Sequence, residues 1–253
     1  MMGPVDKALV LAAGNGDRFR NPTRESKLLQ PVLGRPLIIR TIETARDAGI
    51  KAFEIVLGYR ADHVRAAIER QAPSGVAIRF TENPDWHLEN GVSVLAARRY
   101  LQSRFALLMG DHLFEARVLR QLLRAPVKPG ESLLAVDSRP AAPELADEAT
   151  KVRLHGSRII AIGKTLTEFD ALDTGLFVCA PSLFAALEVA GVHGDTTLSG
   201  GIRILAACGL MRSFDIGDAT WCDIDTIEDL HSAESLLDRP IAGETGAAAG
   251  APR

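Results

Sequence analysis

Two cationic side chains follow a glycine-rich turn near the amino terminus, and this combination suits the binding of a polyphosphate. With its flanks, the turn consists of Leu11, Ala12, Ala13, Gly14, Asn15 and Gly16. Glycine lets a phosphate approach backbone N–H groups without meeting a Cβ atom. Arg18 and Lys27 lie beyond the turn and could close on the phosphates from two sides. The pattern indicates a phosphate-binding loop, and the alternative is a plain turn with two solvated charges.

Spacing separates this loop from two other phosphate-binding loops. A dinucleotide-binding loop has a further glycine or alanine three residues after Gly16, where this chain has Phe19. A P-loop continues with Gly-Lys and then Ser or Thr, and this turn does not. The phosphate loop therefore belongs to neither class.

A carboxylate ends the apolar run of residues 105–110. Asp111 would lie at the carboxyl edge of a central strand, beside the expected phosphates, and would repel them unless a cation intervened. Mg²⁺ suits this position because it binds a few carboxylates together with phosphate oxygens. The alternative is that Asp111 caps the helix predicted to begin near Ala116.

Further polar residues lie at the ends of predicted strands in the second half of the chain. Lys151 and Lys164 belong to the two strands of a predicted hairpin, where they could also be solvated surface charges. A strand entry follows with Asp173, Thr174 and Gly175.

Two acids precede the last predicted helix. The spacing of Asp225, Thr226 and Asp229 is typical of a helix cap with an acidic first turn. Capping does not explain both Asp223 and Asp225, so one of the two remains available for a metal ion.

Alternating elements position these residues. Strands are predicted at 7–12, 52–58 and 76–81, and helices at 36–48 and 62–71. This alternation predicts an α/β fold in which a single doubly wound domain has a mainly parallel sheet with helices on both faces. Ligands of such a Rossmann-like sheet bind at the carboxyl ends of the strands, where the phosphate loop and Asp111 lie.

Composition excludes several classes of protein. A net charge of −3 over 253 residues gives no basic field for nucleic acid. Three widely spaced cysteines favour neither a disulfide framework nor structural zinc. The N-terminus lacks a signal-like apolar segment, and no apolar run is long enough to insert into a membrane, so we expect a cytoplasmic protein. A homodimer is compatible with these data.

The amino-terminal motif resembles the signature of nucleotidyltransferases that make nucleoside-diphosphate sugars and alcohols. The matching segments are Leu-Ala-Ala-Gly-x-Gly-x-Arg and Ser-Lys-Leu-Leu-Gln-Pro-Val. The resemblance implies that residues 11–16 wrap the nucleotide and that Arg18 and Lys27 hold its phosphates. It also implies that Asn90, Gly91 and Ser93 border the base and ribose, although Asn90 alone would indicate a helix cap.

Later segments resemble the CTP-dependent inositol-1-phosphate cytidylyltransferases. These segments are Met-Gly-Asp-His, Glu-Ala-Thr-Lys-Val, Ile-Gly-Lys, Phe-Asp-Ala-Leu-Asp-Thr-Gly and Trp-Cys-Asp-Ile-Asp-Thr. The resemblance spans about residues 7–237. It implies a nucleotide-binding half at about 7–115 and an acceptor-binding half, with a small antiparallel insertion, at about 131–225. Together these form a domain of residues 1–238, and the tail 239–253 is expected to be disordered.

The implied reaction transfers CMP from CTP to a phosphorylated alcohol, with inositol 1-phosphate as the preferred acceptor. Mg²⁺ would be held by Asp111 and Asp225, and the acceptor would be bound by Lys151, Lys164, Asp173, Thr174 and Gly175. Phosphocholine, a phosphonate, or a sugar 1-phosphate with UTP or dTTP remain alternatives, as does a non-catalytic nucleotide-binding subunit. Many members are fused to a membrane CDP-alcohol phosphotransferase, which could receive the product.

Overall fold

A computed structural model shows one large sheet with helices on both faces. It describes residues 4–16, 19, 25–139 and 147–237. Arg18, most of the predicted loop at 139–149 and the tail at 239–253 lie outside the described residues.

The described strands form one nine-stranded sheet and two short ribbons. In chain order they are β1 Lys7–Ala12, β2 Pro31–Val32, β3 Arg35–Pro36, β4 Ala52–Leu57, β5 Ala77–Glu82, β6 Phe105–Met109, β7 His112–Phe114, β8 Ser132–Asp137, β9 Lys151–His155, β10 Arg158–Gly163, β11 Ala171–Cys179, β12 Met211–Asp215 and β13 Trp221–Asp223. The large sheet has the order β5-β4-β1-β6-β11-β8-β12-β10-β9. The neighbours β5, β4, β1 and β6 are parallel, and so are β8 and β12.

Seven α-helices occur among the described residues. They are α1 Leu37–Ala48, α2 Ala61–Gln71, α3 Asn90–Ala96, α4 Ala116–Arg124, α5 Ser182–Val192, α6 Leu198–Ala207 and α7 Ile227–Leu237. None of the described helices has the length and apolar character that a membrane crossing requires.

Alternate residues of each central strand enter two hydrophobic cores. Val10 faces the core that contains α1, α2 and α4, whereas its neighbour Leu9 faces the core of α3, α5 and α6. This period of two follows from strand geometry and explains why parallel strands buried on both faces consist of continuous apolar residues. The structure therefore confirms the predicted α/β class and mainly parallel sheet.

Two strands of the large sheet, β10 and β11, run antiparallel to their neighbours in the sheet order. β11 runs antiparallel to both of its central neighbours, β6 and β8, so the two halves of the chain share one sheet. The hairpin of β9 and β10 forms the far edge of the sheet, and β9 also pairs with β11. This hairpin is the small antiparallel unit that the sequence predicts.

Sequence patterns misplace the start of α6. The residues from 194 to 201 suggest a polar loop, yet the helix begins at Leu198, capped by Thr197, whose Oγ1 accepts from the N–H of Gly200 at 2.9 Å. A Cβ at Gly201 would lie 2.7 Å from Leu187 of α5. Glycine lowers helix propensity, but here it permits close packing of α5 against α6.

Candidate active site

The phosphate loop and Asp111 lie side by side at the carboxyl edge of the sheet. The N–H of Gly110 donates to the carbonyl of Leu11 at 2.9 Å, and a Cβ at Gly110 would lie 2.8 Å from that oxygen. Gly110 therefore brings the end of β6 against the end of β1. Farther along the loop, Gly16 has φ +64° and a Cβ there would lie 3.1 Å from Cβ of Lys27.

Lys27 bridges two carboxylates that lie 114 positions apart in the sequence. Its Nζ lies 2.8 Å from Oδ2 of Asp111 and 3.0 Å from Oδ1 of Asp225. Burial opposes the charged ammonium, but the carboxylates of Asp111 and Asp225 outweigh it and raise the pKa of Lys27. Burial likewise opposes the Asp111 carboxylate, but Lys27 and His112 hold the pKa of Asp111 well below its ordinary range.

A short ribbon of β7 and β13 supplies the other charged groups. His112 pairs with Asp223 across this ribbon. The His112 Nδ1 atom lies 3.0 Å from Oδ1 of Asp111 and 3.5 Å from Oδ1 of Asp223. Despite burial, these two acids raise the pKa of His112 to about 9. Burial and the nearby acids raise the pKa of Asp223 to about 6.

Three of these groups could hold a metal ion. Ligand atoms of Asp111, His112 and Asp223 all lie within 4.8 Å of one another. Oδ1 of Asp223 is buried and has no hydrogen-bond partner among the described residues. A buried carboxylate oxygen without a hydrogen bond is costly unless a cation or water contacts it. The donor set therefore fits a divalent ion, and Asp225 lies beside it.

A cavity of about 350 Å³ extends from these acids toward the β9–β10 hairpin. Its lining includes Asn90, His112, Glu148, Lys164, Asp173, Gly175, Leu198, Ser199, Trp221, Asp223, Asp225 and Asp229. Lys164 is the lysine among the described residues that line this cavity. A ligand there would meet both a lysine ammonium and several carboxylates, which can bind a phosphate and hydroxyl groups respectively.

A family model describing the MobA-like NTP transferase domain matches residues 8–196 of the chain. The protein belongs to this nucleotidyltransferase family.

Two curated relatives carry different names. "Bifunctional IPC transferase and DIPP synthase" of Rubrobacter xylanophilus is 38% identical over 91% of this chain and 51% of its own length. "CMP-5'-(3-aminopropyl)phosphonate synthase" of Streptomyces rubellomurinus is 37% identical over 92% of this chain and 39% of its own length. The chain thus spans about half, or less, of the length of these relatives.

A solved structure matches this chain over nearly the full length of both proteins. The inositol-1-phosphate CTP transferase from T. maritima superposes with a TM-score of 0.81 and 27% identity, covering 94% of this chain and 96% of its own. A UDP-glucose pyrophosphorylase with UDP-glucose, at 19% identity and a TM-score of 0.79, shares the fold.

Within this nucleotidyltransferase, two residues expected to bind the acceptor face elsewhere. Thr174 is buried, and its Oγ1 donates to the carbonyl of Ala135 at 2.8 Å. Strand alternation explains this, because Asp173 and Gly175 line the cavity and Thr174 between them points to the other face. Lys151 is also buried, where its Nζ donates to the carbonyl of Lys164 at 2.9 Å. Lys151 therefore braces the hairpin instead of lining the cavity.

The expected base-binding segment is built largely from internal contacts. Asn90 is the first residue of α3 and not its cap; its Oδ1 accepts from the N–H of Leu198 at 2.8 Å. Ser93 is buried and accepts a hydrogen bond from Asn83. A Cβ at Gly91 would lie 2.4 Å from the carbonyl of Thr196. Asn90 reaches the cavity, whereas Gly91 and Ser93 hold α3 in place.

Two aromatic groups of the site, His112 and Trp221, were given no role from the sequence. His112 lies between Asp111 and Asp223, and Trp221 lines the cavity, its Nε1 donating to Asp137 at 2.9 Å. Position offers the available signal, since His112 directly follows Asp111 and Trp221 precedes Asp223 by two residues. On a strand, a spacing of two residues puts the side chains of Trp221 and Asp223 on the same face.

Proposed function

We propose that this protein transfers CMP from CTP to inositol 1-phosphate and releases pyrophosphate. The observation that carries the proposal is the cavity whose described lining combines Lys164 with Asp223 and Asp225, the second of which contacts Lys27. It allows an acceptor phosphate and a nucleotide to meet at the edge of the sheet. The names of the T. maritima structure and the Rubrobacter relative support the choice of substrates.

The reaction needs no general base. An oxygen of the acceptor phosphate attacks the α-phosphorus of CTP, one phosphorus–oxygen bond forms, and the bond to the β-phosphate oxygen breaks. The attacking phosphate is already ionised at neutral pH, so catalysis rests on orientation and charge neutralisation. This requirement agrees with a site built of lysines and acids.

Each cation has a separate task in this scheme. Lys27 would neutralise the departing pyrophosphate oxygens, and Arg18, which lies outside the described residues, would assist from the loop. Lys164 would hold the acceptor phosphate, because it is the lysine among the described residues that line the cavity. Asp111 and Asp225, with Asp223 beside them, would hold Mg²⁺, which supplies positive charge to the triphosphate.

Asp173 would orient the hydroxyl groups of the acceptor. Its Oδ1 accepts from the N–H of Gly175 at 2.8 Å, which fixes the carboxyl group at the cavity wall. The remaining oxygen could accept a hydrogen bond from a polyol. A site that bonds hydroxyl groups discriminates against acceptors that lack them, since its polar groups would then stay unpaired.

Pyrophosphate release tests this function directly. The purified chain is incubated with each of CTP, UTP, dTTP and ATP against inositol 1-phosphate, phosphocholine, glucose 1-phosphate and 3-aminopropylphosphonate. We expect the highest kcat/KM for CTP with inositol 1-phosphate. A higher value for another acceptor with CTP would keep the cytidylyl transfer and overturn the acceptor.

An aminoalkyl phosphonate is a second candidate acceptor. The Streptomyces relative is named for such a product, and Glu148, Asp173 and Asp223 line the cavity and could pair with an ammonium group. The same assay separates the two acceptors. If the chain turns over 3-aminopropylphosphonate and Asp173→Asn loses this activity, the phosphonate would be favoured as the acceptor.

A further inference from the structure

The ammonium of Lys27 lies where two carboxylates converge. Its contacts to Asp111 and Asp225 are 2.8 and 3.0 Å long, and the Lys27 side chain is only 8% exposed. The charge of Lys27 is thus compensated mainly by these two acids. The contact of Lys27 with both acids also sets the separation of the two carboxylates, which lie 114 positions apart in the sequence.

A divalent ion would need the same oxygen atoms. Mg²⁺ coordinates oxygens at about 2.0–2.1 Å, and a lysine ammonium in contact with the same carboxylates would repel it strongly in a buried site. We propose that Lys27 and the metal ion compete for Asp111 and Asp225, and that the nucleotide triphosphate attracts Lys27 and so releases both acids to the metal.

The position of the Lys27 stem supports this exchange. Gly16 of the phosphate loop packs on Cβ of Lys27, so the side chain lies beneath the loop that would bind the triphosphate. The long and flexible Lys27 side chain can therefore place its ammonium group either between the two acids or against a phosphate oxygen. Because coupling between binding sites is reciprocal, nucleotide would strengthen metal binding and metal would strengthen nucleotide binding.

Binding of Mn²⁺ without any nucleotide tests the competition. Titration calorimetry and the electron paramagnetic resonance signal of free Mn²⁺ would compare the full chain with Lys27→Met, which removes the competing charge. Lys27→Arg keeps the charge at the site, and Lys51→Met removes an exposed charge at the start of β4. We expect Lys27→Met to bind Mn²⁺ at least about tenfold more tightly than wild type, a size typical of coupled sites. The other two variants should resemble wild type.

Equal or weaker Mn²⁺ binding by Lys27→Met would overturn the proposal. If that variant is poorly folded, Lys27→Gln provides a neutral side chain that still donates to the acids, and tighter binding is expected there too. The identity of the nucleotide rests on the proposed function, but this comparison uses the metal alone. An inactive wild-type chain would therefore refute the proposed function and leave the competition to be judged separately.

Discussion

At the scale of single residues, the neighbouring acids Asp225 and Asp229 have different structural roles. Asp225 contacts Lys27, whereas Oδ2 of Asp229 accepts from the N–H groups of Asp225 and Thr226 at 3.0 and 2.7 Å. The N–H of Asp229 in turn donates to Oγ1 of Thr226. This reciprocal arrangement is a capping box, as the sequence predicts for the start of α7. The spacing of the acids alone does not reveal which of them contacts Lys27.

The pair Asp225→Asn and Asp229→Asn separates metal binding from capping. We expect Asp225→Asn to raise the Mg²⁺ concentration for half-maximal activity about tenfold, because a charged ligand is lost. Asp229→Asn should instead lower stability by about 1 kcal/mol, the usual cost of a weakened cap. Magnesium titrations and urea denaturation measure the two effects. Unchanged metal dependence in Asp225→Asn, with a defect in Asp223→Asn, would assign the metal to Asp223.

A second matched pair concerns the two lysines of the hairpin. Lys164→Ala should raise KM for the acceptor about tenfold or more with little change in melting temperature, since it removes an exposed charge that we propose binds the acceptor phosphate. Lys151→Ala should lower the melting temperature, because a buried brace to the Lys164 carbonyl is lost. Acceptor kinetics and thermal denaturation decide between these roles. A larger kinetic defect in Lys151→Ala would restore the role that the sequence suggested.

At the scale of elements, strand β11 contacts the β7–β13 ribbon through a glycine. Gly175 has φ +75°, and a Cβ there would lie 2.5 Å from the His112 ring. The glycine therefore both permits a left-handed backbone and makes room for an imidazole. Periodicity predicts β11 as a strand but carries no information about such a close approach between distant segments.

Gly175→Ala and Gly209→Ala distinguish backbone strain from this contact. Gly209 also has positive φ, at +70°, but a Cβ there would meet no atom within 4 Å. Left-handed geometry costs alanine about 1–2 kcal/mol at either site. We expect Gly175→Ala to lose at least about 1 kcal/mol more, because His112 must shift. If urea denaturation shows equal losses of unfolding free energy in Gly175→Ala and Gly209→Ala, the His112 ring can shift at little energetic cost.

Local patterns predicted much of the fold, and distant contacts account for most of what they missed. The α/β class, the elements β1, α1, β4, α2 and β5, and the hairpin followed from apolar spacing. The nucleotidyltransferase family followed from motifs. The bridge of Lys27 to Asp225 joins residues 198 positions apart, which no local pattern encodes. Thr174 faces away from the cavity for a simpler reason, since strand alternation places it opposite Asp173.

At the scale of the whole molecule, buried acids tie stability to pH. Burial raises the pKa of Asp173 from 3.8 to about 6, although the N–H of Gly175 favours its carboxylate. Folding therefore favours the protonated acid, so this residue weakens stability above about pH 6. Its unfavourable contribution falls as pH decreases through 6 and is gone below the unfolded value.

Asp173→Asn should therefore stabilise the protein in a pH-dependent manner. At pH 8 we expect a gain of about 1 kcal/mol, less than the full linkage value because Asp173 is partly exposed. The gain should shrink between pH 6 and pH 4. Urea denaturation of both proteins at several pH values measures it, and a difference that is constant with pH would contradict the raised pKa.

The position of β11 has a consequence for how the protein is made. Because β11 lies between β6 and β8, the large sheet is completed only when strands from both halves of the chain are present. A nascent chain that has reached residue 200 already contains Asp111 and Lys27 but not yet Asp223 or Asp225. A product that stopped at residue 200 would therefore contain the phosphate loop, Lys27 and Asp111 but lack the two acids of the segment 223–225.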